Sequence, residues 1–445
     1  MEKSDKNFNH SRRTFVKNSA LLGGTMMAMP FASHAGYFTS VDDTIKIALI
    51  GCGGRGTGAA MQALLSKQNV KLVAMADAFK DRLDKSYTAI TSENDEGVSV
   101  KASVDVPEER KFIGFDAYLK AIPLADVVIL ATPPGFRPIH FEEAIKQGKH
   151  VFMEKPVATD PAGVKKVLEV AAIAKQKKLN VVVGLQRHYQ NSYKELYKRV
   201  QDGMIGEITS GQVWWNNDGV WVNLRQPGQT EMEYQMRNWY YFNWLCGDHI
   251  NEQHIHNIDV MNWFKGGFPV KAQGMGGRQV RTGKEFGEIY DHHYVEYHYA
   301  DGTVLNSQCR HIKGTYAIVD EMLVGTKGVV KCGTATISSK GKTLYAYDKT
   351  AENNPYQTEH DELFAAIAKG QYKFADAEQG AKSTMTAIMG RMATYSGEVM
   401  EWDKVINSGI SIMPTRFAWD AETPTKPDAN GFYPIATPGM TKYFS

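Results

Sequence analysis

The stretch Ile45-Lys46-Ile47-Ala48-Leu49-Ile50-Gly51-Cys52-Gly53-Gly54-Arg55-Gly56 decides the fold. A run rich in β-branched residues enters a glycine turn at Gly51–Gly58, and Ala59–Leu65 beyond it reads as helix. Gly51, Gly53 and Gly56 match G-x-G-x-x-G, and Asp77 follows 21 residues after Gly56, at the end of a second apolar run from Val70 to Ala76. In that context the first glycine allows the tight turn, the second lets backbone approach a pyrophosphate, and the third lets helix and strand pack closely. The N-terminus of the helix offers free N–H groups to the anion. Asp77 is placed for the adenosine ribose hydroxyls. A carboxylate there repels a 2′-phosphate, which favours NAD; Arg55 and Lys80 keep NADP open.

Working outward, strands are expected at Ala125–Ala131, His150–Met153 and Asn180–Val183, with helices at His140–Gln147 and Pro161–Lys175. A polar, loop-rich stretch separates Asp77 from Ala125. Alternation at this spacing predicts an α/β Rossmann domain, a doubly wound parallel sheet, over residues 44–184. A helix at Ser192–Gln201 follows, and then strand candidates dominate: Glu207–Trp215, Val270–Met275, Tyr294–Tyr299, Thr303–Cys309 and Met322–Val324. Asp301-Gly302 is a hairpin signal. Residues 185–420 therefore read as an α+β domain with a large, mostly antiparallel open sheet, interrupted by helices at Ile250–Phe264 and Gly380–Tyr395. Residues 421–445 read as an extended tail.

Lys and Arg number 51 against 49 Asp and Glu, so there is no basic excess to neutralise nucleic-acid phosphates. The four cysteines form no C-x-x-C pair, which excludes a zinc knuckle and a disulfide framework. Ser11-Arg12-Arg13-Thr14-Phe15-Val16-Lys17, the apolar stretch Ala20–Phe31 and Ala32-Ser33-His34-Ala35 read as a twin-arginine signal peptide over residues 1–35. Its apolar stretch is too short to span a bilayer. The expectation is export of a folded protein by the twin-arginine machinery to the periplasm, with no transmembrane span once the signal is removed; the signal could also be retained as a tether.

Glu154-Lys155-Pro156-Val157-Ala158, taken with the glycine motif, resembles the Gfo/Idh/MocA family of glucose-fructose oxidoreductase-like and inositol dehydrogenase-like enzymes. Further landmarks are Thr132-Pro133-Pro134 with His140, Gln186-Arg187-His188-Tyr189, and Ile255-His256-Asn257-Ile258-Asp259. The segment from Ala381 to Ala393 resembles the family's closing helix. The resemblance implies that Cys52, Gly54, Arg55, Thr132, Pro133, His140, Glu154, Lys155 and Gln186 join the three glycines and Asp77 around the cofactor. It implies that Lys155 points to the reacting hydroxyl and the nicotinamide, and that Arg187 and Asp259 border the substrate. The family's D-x-x-x-H pattern appears here as Glu252 and His256, an acid one methylene longer. It also suggests homo-oligomers formed through the second domain's sheet.

Oxidising an alcohol needs a base for the O–H proton while hydride leaves the same carbon. On one helix Glu252 and His256 share a face with His249 and Asp259. His256 is therefore expected to act as base and Lys155 to polarise the hydroxyl, with the two roles exchangeable. A competing reading gathers Asp248, His249, Glu252, His254, His256 and Asp259 around zinc; the residue set is accounted for without a metal. Met236–Trp244, which holds Arg237 and Trp239, either meets the faces of a sugar or fills the interdomain core. The function expected is an exported NAD(P)-dependent oxidation of a secondary sugar or glycoside hydroxyl, at C3, with the cofactor held between turnovers. The alternatives are a redox-neutral NAD-dependent glycosidase working through a 3-keto intermediate, and a non-catalytic sugar-binding protein.

Overall fold

The computed structural model describes residues 44–93 and 97–444, so the twin-arginine segment lies outside the described residues. The first sheet holds β1 (Ile45–Ile50), β2 (Val70–Asp77), β3 (Lys111–Ile113), β4 (Val127–Leu130), β5 (His150–Met153) and β6 (Val181–Val183). All of its pairings are parallel, in the order β3-β2-β1-β4-β5-β6. Helices α1 (Gly54–Leu64), α2 (Lys80–Thr91), α3 (Ala117–Ala121), α4 (Arg137–Lys146) and α5 (Pro161–Gln176) cover it. Strands covered on both faces must be apolar throughout, and β4 and β6 are buried at every position. α5 starts sharply because Asp160 accepts the Gly163 N–H at 2.7 Å and Pro161 presets the first turn. Strand order reverses between β1 and β4, which opens a crevice at their carboxyl ends.

The second sheet is larger. After α6 (Asn191–Gln201) come β7 (Ile208–Asn217), α7 (Glu231–Arg237), α8 (Asn243–Cys246), α9 (His249–Glu252) and α10 (Ile255–Lys265). Strands β8 (Lys271–Gly277), β9 (His292–His298), β10 (Val304–His311), β11 (Ile318–Gly325), β12 (Val329–Lys331), β13 (Thr336–Ser339) and β14 (Lys342–Ala346) follow. Then come α11 (Pro355–Ala368), α12 (Ala377–Ser396), β15 (Met400–Glu401) and α13 (Trp402–Ile406). Nine strands run β14-β13-β12-β11-β7-β10-β9-β8-β15, antiparallel except at β7–β10. In β9 buried and half-buried residues alternate without a break, the pattern of a sheet covered on one face. The hairpin at Asp301-Gly302 is present, with Gly302 at φ +87°.

Several expectations are corrected. The first helix starts at Gly54, not Ala59, because the glycine run itself forms the first turn. The stretch read as loop contains α2, β3 and α3; β3 is only three residues long and edges the sheet, so it carries little apolar signal. The helix expected at Ile250–Phe264 is two helices, α9 and α10. Helix α11 and strands β12–β14 were not anticipated, and α11 packs back onto α1 of the first domain. The C-terminal segment is extended but not loose, since Thr423, Thr425 and Tyr433 are buried. α12 contacts both sheets and is buried almost all round, as a helix enclosed by two layers must be.

The glycine turn yields a direct test. A Cβ at Gly56 would meet the Gly51 carbonyl oxygen at 2.0 Å, whereas one at Gly53 or Gly54 would meet nothing within 4 Å. Gly56→Ala is expected to destabilise the fold by about 2–3 kcal/mol in thermal melts. Gly53→Ala should melt like the wild type yet bind NADH at least about ten-fold more weakly, because its methyl projects into the open space where backbone approaches a ligand.

Candidate active site

At the switch point the glycine loop, the carboxyl ends of β2 and β4, and residues from the second domain enclose a cavity of about 440 Å³. Its floor is Gly51, Gly53, Gly54 and Arg55, and its walls include Asp77, Phe79, Phe115, Thr132, Pro133, Phe136 and His140. Trp221, Asn223, Met236, Arg237 and Trp239 close it from the second domain. No side chain caps the start of α1, so its first N–H groups remain open to an anion. Asp77 accepts the Cys52 and Phe79 N–H groups at 2.7 and 2.8 Å, which fixes its carboxylate at the rim of the loop. Together these features fit a dinucleotide: open space above Gly53 and Gly54, a free helix N-terminus, and an oriented acid at the end of β2.

Other predicted cofactor residues form the frame of the cavity. Cys52 is buried, with its thiol against the Ala76 carbonyl, and contributes backbone rather than side chain. Burial and the neighbouring Arg137 push the His140 imidazole down to about 3, so it is neutral; its Nδ1 lies 3.2 Å from Thr132 Oγ1. The Arg55 guanidinium is committed to Glu154 at 2.5 Å, Gln62 at 2.9 Å and Glu359 at 3.3 Å. Lys80 pairs with Asp84 instead. The two cations that kept NADP open thus already have partners.

Beyond the Arg55–Glu154 pair the chemistry-bearing residues meet. Lys155, whose bond to Pro156 is cis, donates from Nζ to the Glu252 carbonyl oxygen at 2.6 Å and to Glu252 Oε1 at 3.1 Å. That carbonyl is free because the helix is interrupted. The His254 N–H reaches back five residues to His249, and the His256 N–H bonds to Gln253 instead of Glu252. Such irregular turns concentrate at functional sites because they release a backbone acceptor. His256 lies beside this contact, its ring 5.9 Å from Trp215. Burial first, then the charges of Lys155, Arg187 and Arg55, holds its imidazole well below the ordinary range, so it is neutral. His256 Nδ1, Trp215 Nε1 and Gln186 Oε1 are buried without hydrogen-bond partners.

Asp259, one turn past His256 on α10, is taken up elsewhere: it is occupied by His188 Nε2 at 2.6 Å, Ser383 Oγ at 2.7 Å and Gln379 Nε2 at 2.9 Å. Arg237 and Trp239 line the same cavity as the glycine loop, and Arg237 bridges to Asp81 on α2. The Arg187 guanidinium is anchored to buried Glu321, which also accepts from Tyr193 and Asn257, so it acts on the site through charge at short range. The six residues of the zinc reading separate: His254 bonds Ser307 at 2.7 Å, while Asp248 and His249 turn towards His293. Asp248, His249 and His293 form a buried group whose ligand atoms lie within 4.8 Å. The Asp248 carboxylate is taken up by His249 Nδ1, the Tyr290 N–H and the Tyr395 hydroxyl.

The residues missed by sequence reading are Phe79, Phe115 and Phe136 in the cavity wall, and Glu321 and Glu359 beneath the two arginines. Phe79 lies two residues past Asp77 and was open to inference from that position. Both glutamates come from elements remote in sequence, and only the packing brings them to the arginines.

The fold and cavity define a nicotinamide dinucleotide-binding oxidoreductase. Residues 45–185 match the model described as the oxidoreductase family NAD-binding Rossmann fold, and residues 193–331 match the GFO/IDH/MocA C-terminal domain. The chain belongs to the Gfo/Idh/MocA family. It is 25% identical over 342 residues to the inositol 2-dehydrogenase of Rhizobium meliloti, covering 74% of this chain and 90% of that protein. A Streptomyces coelicolor glycosyl hydrolase family 109 protein is 23% identical over 197 residues, 44% of this chain and 37% of that one. The crystal structure of scyllo-inositol dehydrogenase from Lactobacillus casei with NAD(H) and scyllo-inositol superposes with a TM-score of 0.60 at 19% identity, covering 81% of this chain and all (100%) of that one.

Two outcomes test the site. Because the Lys155 ammonium keeps the backbone carbonyl when the acid is removed, Glu252→Ala should lower kcat by about ten-fold, against at least about a hundred-fold for Lys155→Ala. The buried His188 imidazole pays a burial penalty, but Asp259 outweighs it and raises its pKa above the ordinary value. The stability this contributes is present below the unfolded-state pKa of about 6.5 and is lost as pH rises through the folded value. Melting temperature should therefore fall from pH 6 to 9 more steeply for the wild type than for Asp259→Asn.

Proposed function

We propose that this protein is an exported oxidoreductase that uses a retained NAD to oxidise a secondary ring hydroxyl of a sugar or glycoside, at C3, to a keto-sugar. The observation that carries the reading is the contact of Lys155 with Glu252, near His256 and next in sequence to the Glu154 that pairs with Arg55 on the cavity floor. When bound, NAD supplies the hydride acceptor. Glu252 holds the Lys155 ammonium where it polarises the substrate hydroxyl and stabilises the developing alkoxide. Neutral His256 takes the hydroxyl proton at a ring nitrogen. The unpartnered Trp215 Nε1 and Gln186 Oε1 offer a donor and an acceptor to a hydroxyl-rich ligand. The inositol dehydrogenase relatives support a polyol or sugar substrate. Residues 1–35 support export, and the open face of the second sheet, where Met275 is 72% exposed, supports self-association.

A redox-neutral glycosidase is the second reading, favoured by the family 109 relative and disfavoured by the retained Lys155-Pro156. Both readings are tested by incubating purified protein with α- and β-glycosides while following NADH absorbance and free aglycone together. Lasting NADH with a keto-sugar is expected, and His256→Ala should reduce its rate at least about a hundred-fold. Aglycone release without net NADH would replace the dehydrogenase reading with the glycosidase one. No response with NAD or NADP would overturn both.

A further inference from the structure

The chain after α13 forms no helix or strand through residue 444, yet it crosses from one domain to the other. It leaves the first domain at Asp160, the capping residue of α5, which accepts from the Ile412 N–H at 2.8 Å and Ser411 Oγ at 3.1 Å. It meets the second domain at α7. There the Thr425 carbonyl accepts from Gln235 Nε2 at 2.9 Å, and the Tyr433 hydroxyl donates to Glu231 at 2.6 Å. Between these anchors lie Phe417 and Trp419. The Trp419 ring centroid is 5.0 Å from that of Phe79 and 4.6 Å from that of Phe115, and Phe417 is 5.1 Å from Phe136 and 6.2 Å from Phe115.

Phe79, Phe115 and Phe136 follow β2, β3 and β4, so each stands on a different loop at the ligand end of the parallel sheet, and each lines the dinucleotide cavity. Phe417 and Trp419 do not line it. They lie behind all three walls at once. Loops of this kind open locally and separately unless something couples them. A single segment fixed to both domains and stacked on three loops makes their opening one event. This segment lies outside the stretches matched by the family models, residues 45–185 and 193–331. On the reading that a dinucleotide fills the cavity, we infer that residues 411–425 form a clasp that sets how long the cofactor stays bound, with Phe417 and Trp419 as its positioning residues.

The test uses the full chain loaded with NADH, chased with excess NAD, and the loss of bound-nicotinamide fluorescence over time. Trp419→Ala with Phe417→Ala should release NADH at least about ten-fold faster than the wild type, the scale of two lost aromatic contacts. Trp419→Phe should restore slow release. Release from the double variant at the wild-type rate would overturn the clasp, as would release from Trp419→Phe as fast as from the double variant. If the double variant does not fold, hydrogen exchange on the wild type decides. Added NADH must increase protection across residues 411–425, and unchanged exchange there overturns the proposal. A wild type that binds no NADH would overturn the cofactor reading instead.

Discussion

The site depends on one contact, the Lys155 ammonium against the backbone carbonyl of Glu252 at 2.6 Å. A carbonyl inside an unbroken helix already has its N–H partner, so this contact requires the interruption between α9 and α10. Lys155 comes from the end of a strand in the parallel sheet and Glu252 from a helix of the second domain, so the same contact also joins the domains at the chemistry. A backbone acceptor cannot rotate away as a carboxylate can. The lysine is therefore aimed by the fold, and the Glu252 side chain refines that aim.

The interruption is itself supported from below. Asp248, just before α9, has φ +70°, a backbone conformation that a non-glycine residue holds only when its surroundings impose it. Those surroundings are its own buried carboxylate, bonded to His249, the Tyr290 N–H and Tyr395. Burial opposes the charge, but attraction to His293 and His249, with hydrogen bonds from His249, outweighs it and keeps that acid well below the ordinary carboxylate range. A fixed, charged Asp248 sets where α9 begins, and the start of α9 sets where its ladder fails.

The sequence made the first sheet legible because a parallel sheet needs apolar runs bounded by glycine and acid, and β1, β2, β4, β5 and β6 carry them. β3, with three residues and no buried position, has no such pattern to read. Lys155, Glu252 and His256 were reached through the family resemblance, and the structure puts Lys155 on Glu252 with His256 nearby. Asp259 has partners on α12 and the Gln186–Tyr189 turn, which periodicity along one helix cannot show. Arg237 lies in the wall of the cavity, where a cofactor or a substrate oxygen would come within its reach. No local pattern distinguishes the cofactor end of a cavity from its substrate end.

α12 has a further consequence. Its Gly380 lies so close to Val183 of the first sheet that a Cβ would stand 3.0 Å from that side chain, and its Gly390 similarly meets the Tyr297 hydroxyl of the second sheet at 2.0 Å. One rigid rod is therefore keyed into both layers, about ten residues or 15 Å apart. A hinge between the layers would have to pull one key from its slot. The two domains are better described as a single block, in which traffic to the buried chemistry passes by local parting of the walls.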